Sequence, residues 1–274
     1  MNQTLNKNIP LGKSVGHSET YAPSHLFPVP RKESRKALGL VSALPFHGVD
    51  IWNAYELSWL TPKGKPCVAM GEFSFPCTSK HIVESKSLKL YLNSLNQTCF
   101  DAPETVARTI QKDLSVAAGA QAAVTLLMPE EFAKMQICSP QGDCLDGLDL
   151  GMDTYTREPG YLTTRSVKAE EQLYSRLLRT NCPVTGQPDW ATVMIDYSGN
   201  AIDHAGLLRY IVSFRQHTGF HENCVERIFM DIVNRCQPDR LSVNARFTRR
   251  GGLDINPQRS TNEKRFPNIR LARQ

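Results

Sequence analysis

Between residues 181 and 193 the chain reads NCPVTGQPDWATV. Cys182 is a sulfur nucleophile in waiting, Asp189 is a carboxyl able to take or give a proton, and seven positions separate them. Pro183, Gly186 and Pro188 forbid a regular element between the two, so the segment folds back as a loop ahead of a strand and turns both side chains toward one space. Sulfur attacks as thiolate, and an ordinary cysteine with a pKa near 8.5 is only about 3 % ionised at pH 7. A useful nucleophile here needs a base, a cation or a helix N-terminus beside it. Asp189 can take or hold that proton, or act as the acid toward an anion developing on a substrate. The plainer reading makes Cys182 a small apolar residue in a turn and Asp189 a turn former.

Three other stretches carry chemistry by residue type. In ESKSLKLY, residues 84 to 91, Glu84, Ser85, Lys86, Ser87 and Lys89 cluster ahead of a helix. Glu and Ser there suit a helix cap and the lysines a solvated face, while the functional reading is a polar pocket with an anion binder. His221 and Glu222 open a later helix, where a carboxylate is favoured by the dipole, and flanking Phe220 and Cys224 argue that the pair is not fully exposed. FTRRGGLDI sets Arg249, Arg250, Gly251 and Gly252 at a turn between strands. Guanidinium forks and bare backbone can approach phosphate closely there, and a simple Gly-Gly hairpin with solvated arginines would look the same.

Absences remove whole classes of function. The chain has neither a G-x-G-x-x-G after a strand nor a G-x-x-x-x-G-K-[ST], so no Rossmann or P-loop site is written in it. It has no Cys-x-x-Cys, and HENCV breaks the H-E-x-x-H pattern at its last position, leaving His221 and Cys224 as at most half a zinc site. The expectation is a protein without a metal. No stretch approaches the roughly 20 apolar residues that cross a bilayer, and the start has no apolar run, so no membrane and a cytoplasmic address are expected. In that compartment the eight cysteines, without framework spacing, are expected mostly as free thiols. A net charge of +5 suits an anionic ligand, yet falls short of the basic stripe of a nucleic-acid binder, so no direct nucleic-acid partner is expected.

The elements that must hold these residues follow from periodicity. The 274 residues, 41 % hydrophobic, suffice for one large or two ordinary domains. Residues 49 to 59 alternate and CVAMGEFSF follows the turn TPKGKP, which predicts a hairpin. SLKLYLNSLNQ and APETVARTIQKDLSVAAG have helical spacing, the second with Pro103 at its start, and AAVTLLM returns to a strand. The order then recurs, with DWATVMIDY a strand, AGLLRYIVSFRQH and ENCVERIFMDIVNRC helices, and RLSVNARF and GGLDINP strands. A shift of 119 positions superposes Tyr91 on Tyr210, Ser94 on Ser213, Gln97 on Gln216, Val106 on Val225 and Arg108 on Arg227. The chain reads as duplicated. The expected division is an irregular N-terminal extension over 1–36, a first module over 37–136, a Gly- and Asp-rich linker over 137–153 and a second module over 154–274.

ESKSLKLYL, NCPVTGQPDWA, FHE and RRGG together resemble the nitrile reductases of queuosine biosynthesis, the QueF family, in its long two-module form. The resemblance covers about residues 40 to 260. It implies an α+β fold of two tandem tunnelling-fold modules, each β-β-α-α-β-β, with antiparallel sheets and helices packed on one face. It also implies NADPH-dependent reduction of 7-cyano-7-deazaguanine to the aminomethyl compound, with two NADPH per turnover and no metal. Cys182 would form a covalent thioimidate with the nitrile carbon, and Asp189 would protonate the nitrile nitrogen. Glu222 would read the base, with His221 beside it and Val83, Glu84 and Ser85 contributing; Ser85, Lys86, Arg250 and Gly251 would hold the cofactor. AGLLRYIV stands where KSLKLYLN stands in the first half, and Asp101 to Glu104 does not reproduce His-Glu, so the resemblance implies one catalytic unit per chain made by both halves. It suggests a homodimer. The bare residue inventory also allows a thiol hydrolase or amidase using Cys182, His221 and Asp189, or a non-catalytic purine- or RNA-binding module.

Overall fold

The structure, a computed structural model, describes residues 20–41, 43–263 and 266–274; the first 19 residues of the expected extension lie outside these. The fold is α+β, with largely antiparallel sheets and helices. It divides into two compact units, one of residues up to Ser34, Ile51–Gln136 and Arg249–Asp254, the other of Arg35–Asp50, Ile137–Thr248 and Ile255–Gln274.

Unit one contains strand β1 (Pro28–Pro30), the start of helix α1 (Arg31–Lys36), strands β2 (His47–Leu60, from Ile51 onward), β3 (Pro66–Pro76) and β4 (His81–Val83), helices α2 (Ser85–Asn93) and α3 (Pro103–Ala118), and strand β5 (Ala123–Leu127). β2 and β3 are the expected hairpin, closed by Thr61 N–H donating to the Lys65 carbonyl at 2.9 Å. β5 pairs antiparallel with β3, Met70 opposite Leu127 and Ser74 opposite Ala123. In β3 the alternate residues Ala69, Phe73 and Phe75 are buried, as period-2 patterning requires. Helix α3 starts on Pro103 and ends at Gly119 with φ +63°, and its Val106, Ile110 and Leu114 line one buried stripe.

Unit two contains β6 (Ile137–Cys138), β7 (Asp143–Cys144), β8 (Thr164–Asn181), β9 (Pro188–Ile202), α4 (His204–Ser213), α5 (His221–Cys236), β10 (Arg240–Phe247), β11 (Leu253–Ser260, from Ile255 onward) and β12 (Arg270–Leu271). The order β8-β9-α4-α5-β10-β11 is the one expected for a module. β9 lies antiparallel between β8 and β10, and β7 runs parallel to β8 on its outer side.

The structure corrects the sequence reading in two places. The segment ahead of residue 37, read as irregular, carries a 3-10 turn over Pro23–His25 and then β1 and α1. The 18-residue β8 is absent from the reading altogether. Its pairing shifts between Thr164 and Lys168 and again between Ser175 and Leu178, so the buried positions change from odd (Leu173, Ser175) to even (Leu178, Thr180). A bulge adds one residue to one strand, and a period-2 pattern cannot survive it.

The duplication is structural as well as textual. Tyr91 and Tyr210 donate from their hydroxyls to Asp113 and Asp231 at 2.7 and 2.6 Å, and Ser94 and Ser213 each donate to the carbonyl of that tyrosine at 2.6 Å. Each serine oxygen also accepts the backbone N–H of a residue just before a Pro-led 3-10 turn, Ala22 at 3.1 Å and Glu158 at 3.0 Å. Glu84 N–H then donates to Phe27 and Asp203 N–H to Thr163, both at 2.9 Å. Each unit therefore ties its own strap across the first helix of its helical pair.

Candidate functional site

Cys182 sits in the loop between β8 and β9, and that loop is rigidly closed. Its N–H donates to the Gln187 carbonyl at 2.8 Å and its carbonyl accepts from Gly186 at 3.0 Å. Gly186 has φ +69°, the left-handed conformation that this turn demands and that glycine adopts without cost. Asp189 pairs across the hairpin with Thr180. Directly paired residues share a face, so Asp189 and Thr180 point to the same side, and Cys182 follows in the turn two residues beyond Thr180. All three are buried, Cys182 at 7 % and Asp189 at 3 % exposure.

Helix α5 delivers its first turn to the same face. Asn181 N–H donates to the His217 carbonyl at 2.8 Å and Gly219 N–H to the Asn181 carbonyl at 3.2 Å, which ties the approach to α5 against the end of β8. His221 then places Nε2 3.4 Å from Asp189 Oδ2, and its ring stacks flat on Phe247 at 3.7 Å. Phe247 pairs with Ala191, two residues along β9 from Asp189. Glu222, 1 % exposed, lies in the first turn, where the helix dipole favours its charge. Burial pushes the Cys224 thiol far up, so it is held as a neutral thiol in the core.

A buried ion cluster fixes the same helix one turn further on. Arg259 donates to Glu226 Oε1 at 3.1 and 2.8 Å and to Asp50 Oδ1 at 2.7 Å, and Arg35 donates to Glu226 at 2.6 and 3.1 Å. Both guanidiniums lie over the Phe46 ring, at 5.9 and 5.5 Å. Sequence reading named none of these four charged residues. Glu226, near Cys224, Val225, Ile228 and Phe229, and Asp50, between Val49 and Ile51, carry the signal of charge in largely apolar surroundings; Arg35 and Arg259 stand among polar residues and carry none.

In unit one, Glu84 is fully buried and caps α2, accepting Lys86 N–H at 2.9 Å and Ser87 N–H at 2.8 Å. Burial holds its carboxyl above the usual carboxylate range, against the opposing pull of those N–H groups. Asp203 caps α4 in the same way through Gly206 N–H at 2.7 Å, so a capping carboxylate belongs to both units. Val83 is buried, and Ser85 and Lys86 are half-buried at the start of α2. Arg250 and Gly251 form the tight turn before β11, with Gly251 at φ +58° and Gly252 at φ +80°. Lys89 donates to Gly251 O at 2.6 Å and to Glu56 at 2.8 Å, so α2 and the glycine turn are fastened together. A small hollow of about 10 Å³ lies here among Ala54, Glu56, Lys89, Asn93 and the two glycines. A guanidinium such as that of Arg250 and bare glycine backbone are donor types that suit a phosphorylated dinucleotide, whereas the Lys86 and Ser87 N–H groups are taken by Glu84 and the Lys89 ammonium is paired with Glu56.

Cys182, Asp189, His221 and Glu222 belong to unit two, where the contact made is that of His221 with Asp189, and Val83, Glu84, Ser85 and Lys86, with Arg250 and Gly251 at the turn, belong to unit one. No group of three or more His, Cys, Asp or Glu that could hold a metal occurs among the described residues. All eight cysteines are free. No helix among the described residues is long and apolar enough to cross a membrane.

Residues 17–126 match the family described as nitrile reductase, 7-cyano-7-deazaguanine-reductase N-term, and residues 188–265 match QueF-like protein. A Desulfotalea psychrophila protein named NADPH-dependent 7-cyano-7-deazaguanine reductase is 64 % identical over 100 % of both chains. A protein of that name from Burkholderia ambifaria is 55 % identical over 97 % of this chain and 98 % of its own. One from Paraburkholderia phytofirmans is 54 % identical over the same shares. A solved structure, the archaeosine synthase QueF-Like in the apo form, covers 36 % of this chain and 95 % of its own at 14 % identity and a TM-score of 0.30. On the full-length identity and both family matches, the chain belongs to the QueF family of nitrile reductases.

Proposed function

We propose that this chain reduces the nitrile of 7-cyano-7-deazaguanine to the aminomethyl group through a thioimidate on Cys182, in the supply of a modified tRNA base. What supports it is that Cys182, in the turn of the β8–β9 hairpin, and Asp189, paired with Thr180 beside that turn, are both buried, with His221 of the first turn of α5 3.4 Å from Asp189. A nitrile carbon is a soft, weak electrophile, and a thiolate is the side chain best matched to it. As sulfur adds, negative charge builds on the nitrile nitrogen. Asp189 takes the thiol proton and passes it to that nitrogen, so the adduct forms with no net change of charge. Glu222 accepts from the ring N–H and amino group of the base, and a buried acceptor of this kind rejects purines that lack those donors. His221, held flat on Phe247, keeps Asp189 in place. Val83, Glu84 and Ser85 add contacts to the base, while Ser85, Lys86, Arg250 and Gly251 hold the phosphorylated cosubstrate.

When bound, NADPH supplies hydride, and two are consumed because a nitrile is four electrons above an amine. The chain acts as a homodimer, without a metal, on a free small molecule. Mixing the protein with 7-cyano-7-deazaguanine in the absence of reductant tests the reading. Intact mass is expected to rise by one substrate on the parent and not on Cys182→Ala, and two NADPH are expected to disappear per nitrile. An adduct on Cys182→Ala removes the nucleophile from its role; ammonia release without NADPH loss replaces reduction by hydrolysis.

A further inference from the structure

The opposite face of the catalytic hairpin carries an arrangement that the reduction does not use. Arg179 and Trp190 are paired across β8 and β9, each one residue along from the pair Thr180 and Asp189, and therefore point the other way. Three guanidiniums converge on the Trp190 ring: Arg179 at 5.8 Å, Arg215 at 5.4 Å and Arg273 at 5.8 Å from its centroid. Arg215 also lies 5.9 Å from the exposed ring of Tyr155. Guanidinium-to-carbonyl hydrogen bonds set the cluster, with the Arg179 side chain donating to the Arg215 carbonyl and that of Arg273 to the Arg176 carbonyl, both at 2.9 Å. Among the described residues none of the three has a carboxylate partner, whereas neighbouring Arg176 has Asp146 at 3.5 Å.

Three like charges around one ring are not self-stabilising. A cation–π contact attracts each guanidinium to the ring without neutralising it, so the positive charge of the cluster stays uncompensated. All three guanidinium carbons lie 5.4–5.8 Å from one ring centroid, so a multivalent anion beside that ring is attracted by all three with little loss to screening at a Debye length of about 8 Å. Guanidinium forks match phosphate oxygens bidentately, and a single carboxylate would satisfy only one fork. The indole is already approached by cations, which makes it a support for them rather than a platform for a nucleobase. We propose that Arg179, Arg215 and Arg273 form a binding site for a di- or triphosphate group, with Trp190 holding the guanidiniums in register. The group can come from free pyrophosphate or from the tail of a nucleotide.

Trp52 and Trp59 are 1 % and 2 % exposed, so Trp190 is the tryptophan whose emission should respond to a surface anion. The full chain is titrated with pyrophosphate, with adenosine triphosphate and with a short oligouridylate, at matched ionic strength, and equilibrium dialysis of pyrophosphate provides a second readout. Saturable binding of pyrophosphate is expected, weakened about tenfold by Arg215→Gln and by Arg273→Gln, with Arg273→Lys in between. Equal binding of pyrophosphate and adenosine triphosphate identifies the phosphate group as the ligand; much tighter binding of adenosine triphosphate identifies a nucleotide as its source. No saturable binding of either, binding indifferent to both Gln variants, or binding of oligouridylate alone overturns the proposal. Neither the nitrile nor NADPH is present, so failure here leaves the reductase reading untouched.

Discussion

Asp189 Oδ2 lies 3.4 Å from Nε2 of His221, whose imidazole is pressed parallel to the Phe247 ring at 3.7 Å. The ring cannot turn without losing that stack, so it is a fixed neighbour for the carboxyl that we assign to proton transfer. Asp189→Asn keeps the shape and removes the proton. It is expected to lower kcat by about 10²–10⁴, while the Kd for the deazaguanine changes by no more than about threefold. Calorimetry showing the reverse, weak binding with near-normal turnover, would take Asp189 out of the chemistry.

His217 gives the hairpin of β8 and β9 a pH-dependent stability. Its carbonyl accepts Asn181 N–H, and burial, aided by the charges of Arg227 and Arg157, holds its imidazole down to about 4 against the ordinary 6.5. A base depressed in the folded state leaves the unfolded chain binding the extra proton, so the contribution is complete above pH 6.5 and is lost as pH falls from there toward 4. The loss amounts to at most about 3 kcal/mol, less where water reaches the ring. Urea midpoints measured between pH 7 and 4.5 should fall more steeply in the parent than in His217→Gln. Parallel profiles would refute the assignment.

The four-charge cluster behind α5 is expected to be sensitive to its carboxylate. Glu226→Ala leaves Arg35 and Arg259 buried without the acid they share, and a cost of about 3–5 kcal/mol follows. Glu226→Gln, which still accepts, should cost less. Urea denaturation that separates neither variant from the parent by 1 kcal/mol or more would show that solvent reaches the cluster.

The two units differ in what backs their matching tyrosines. Asp231 keeps a two-pronged contact from Arg157 at 2.8 and 2.7 Å when Tyr210 is removed, whereas among the described residues Asp113 keeps only the Tyr21 hydroxyl at 2.6 Å when Tyr91 is removed. Each Tyr→Phe change deletes one buried hydrogen bond, worth about 1–3 kcal/mol when an acceptor is left short. Tyr91→Phe is therefore expected to be the costlier of the two in thermal or urea unfolding. The opposite order would mean that the Arg157 contact does not replace the lost donor.

Local periodicity made most of the elements legible. The hairpin of unit one, both helical pairs, β5, β9, β10 and β11 follow from spacing and from Pro and Gly at the ends, because such patterns involve only neighbours in sequence. The 119-residue shift found pairs whose side chains make the same bonds in both units. The straps escaped because they have no period: their hydrogen bonds go to Ser94 and Ser213, far along the chain. β8 escaped because its bulges reset the alternation.

By itself, the sequence determined the residue types that can do the chemistry, the turn that holds Cys182, the duplication and the family whose motifs they match. Only the tertiary structure decided that His221 faces Asp189, that Glu226 gathers two arginines, and that Arg179, Arg215 and Arg273 meet at one tryptophan. The physical reason is distance along the chain. A turn or helix is set by forces among residues a few positions apart, whereas these contacts join positions tens of residues apart, which only strand register and helix packing bring within reach.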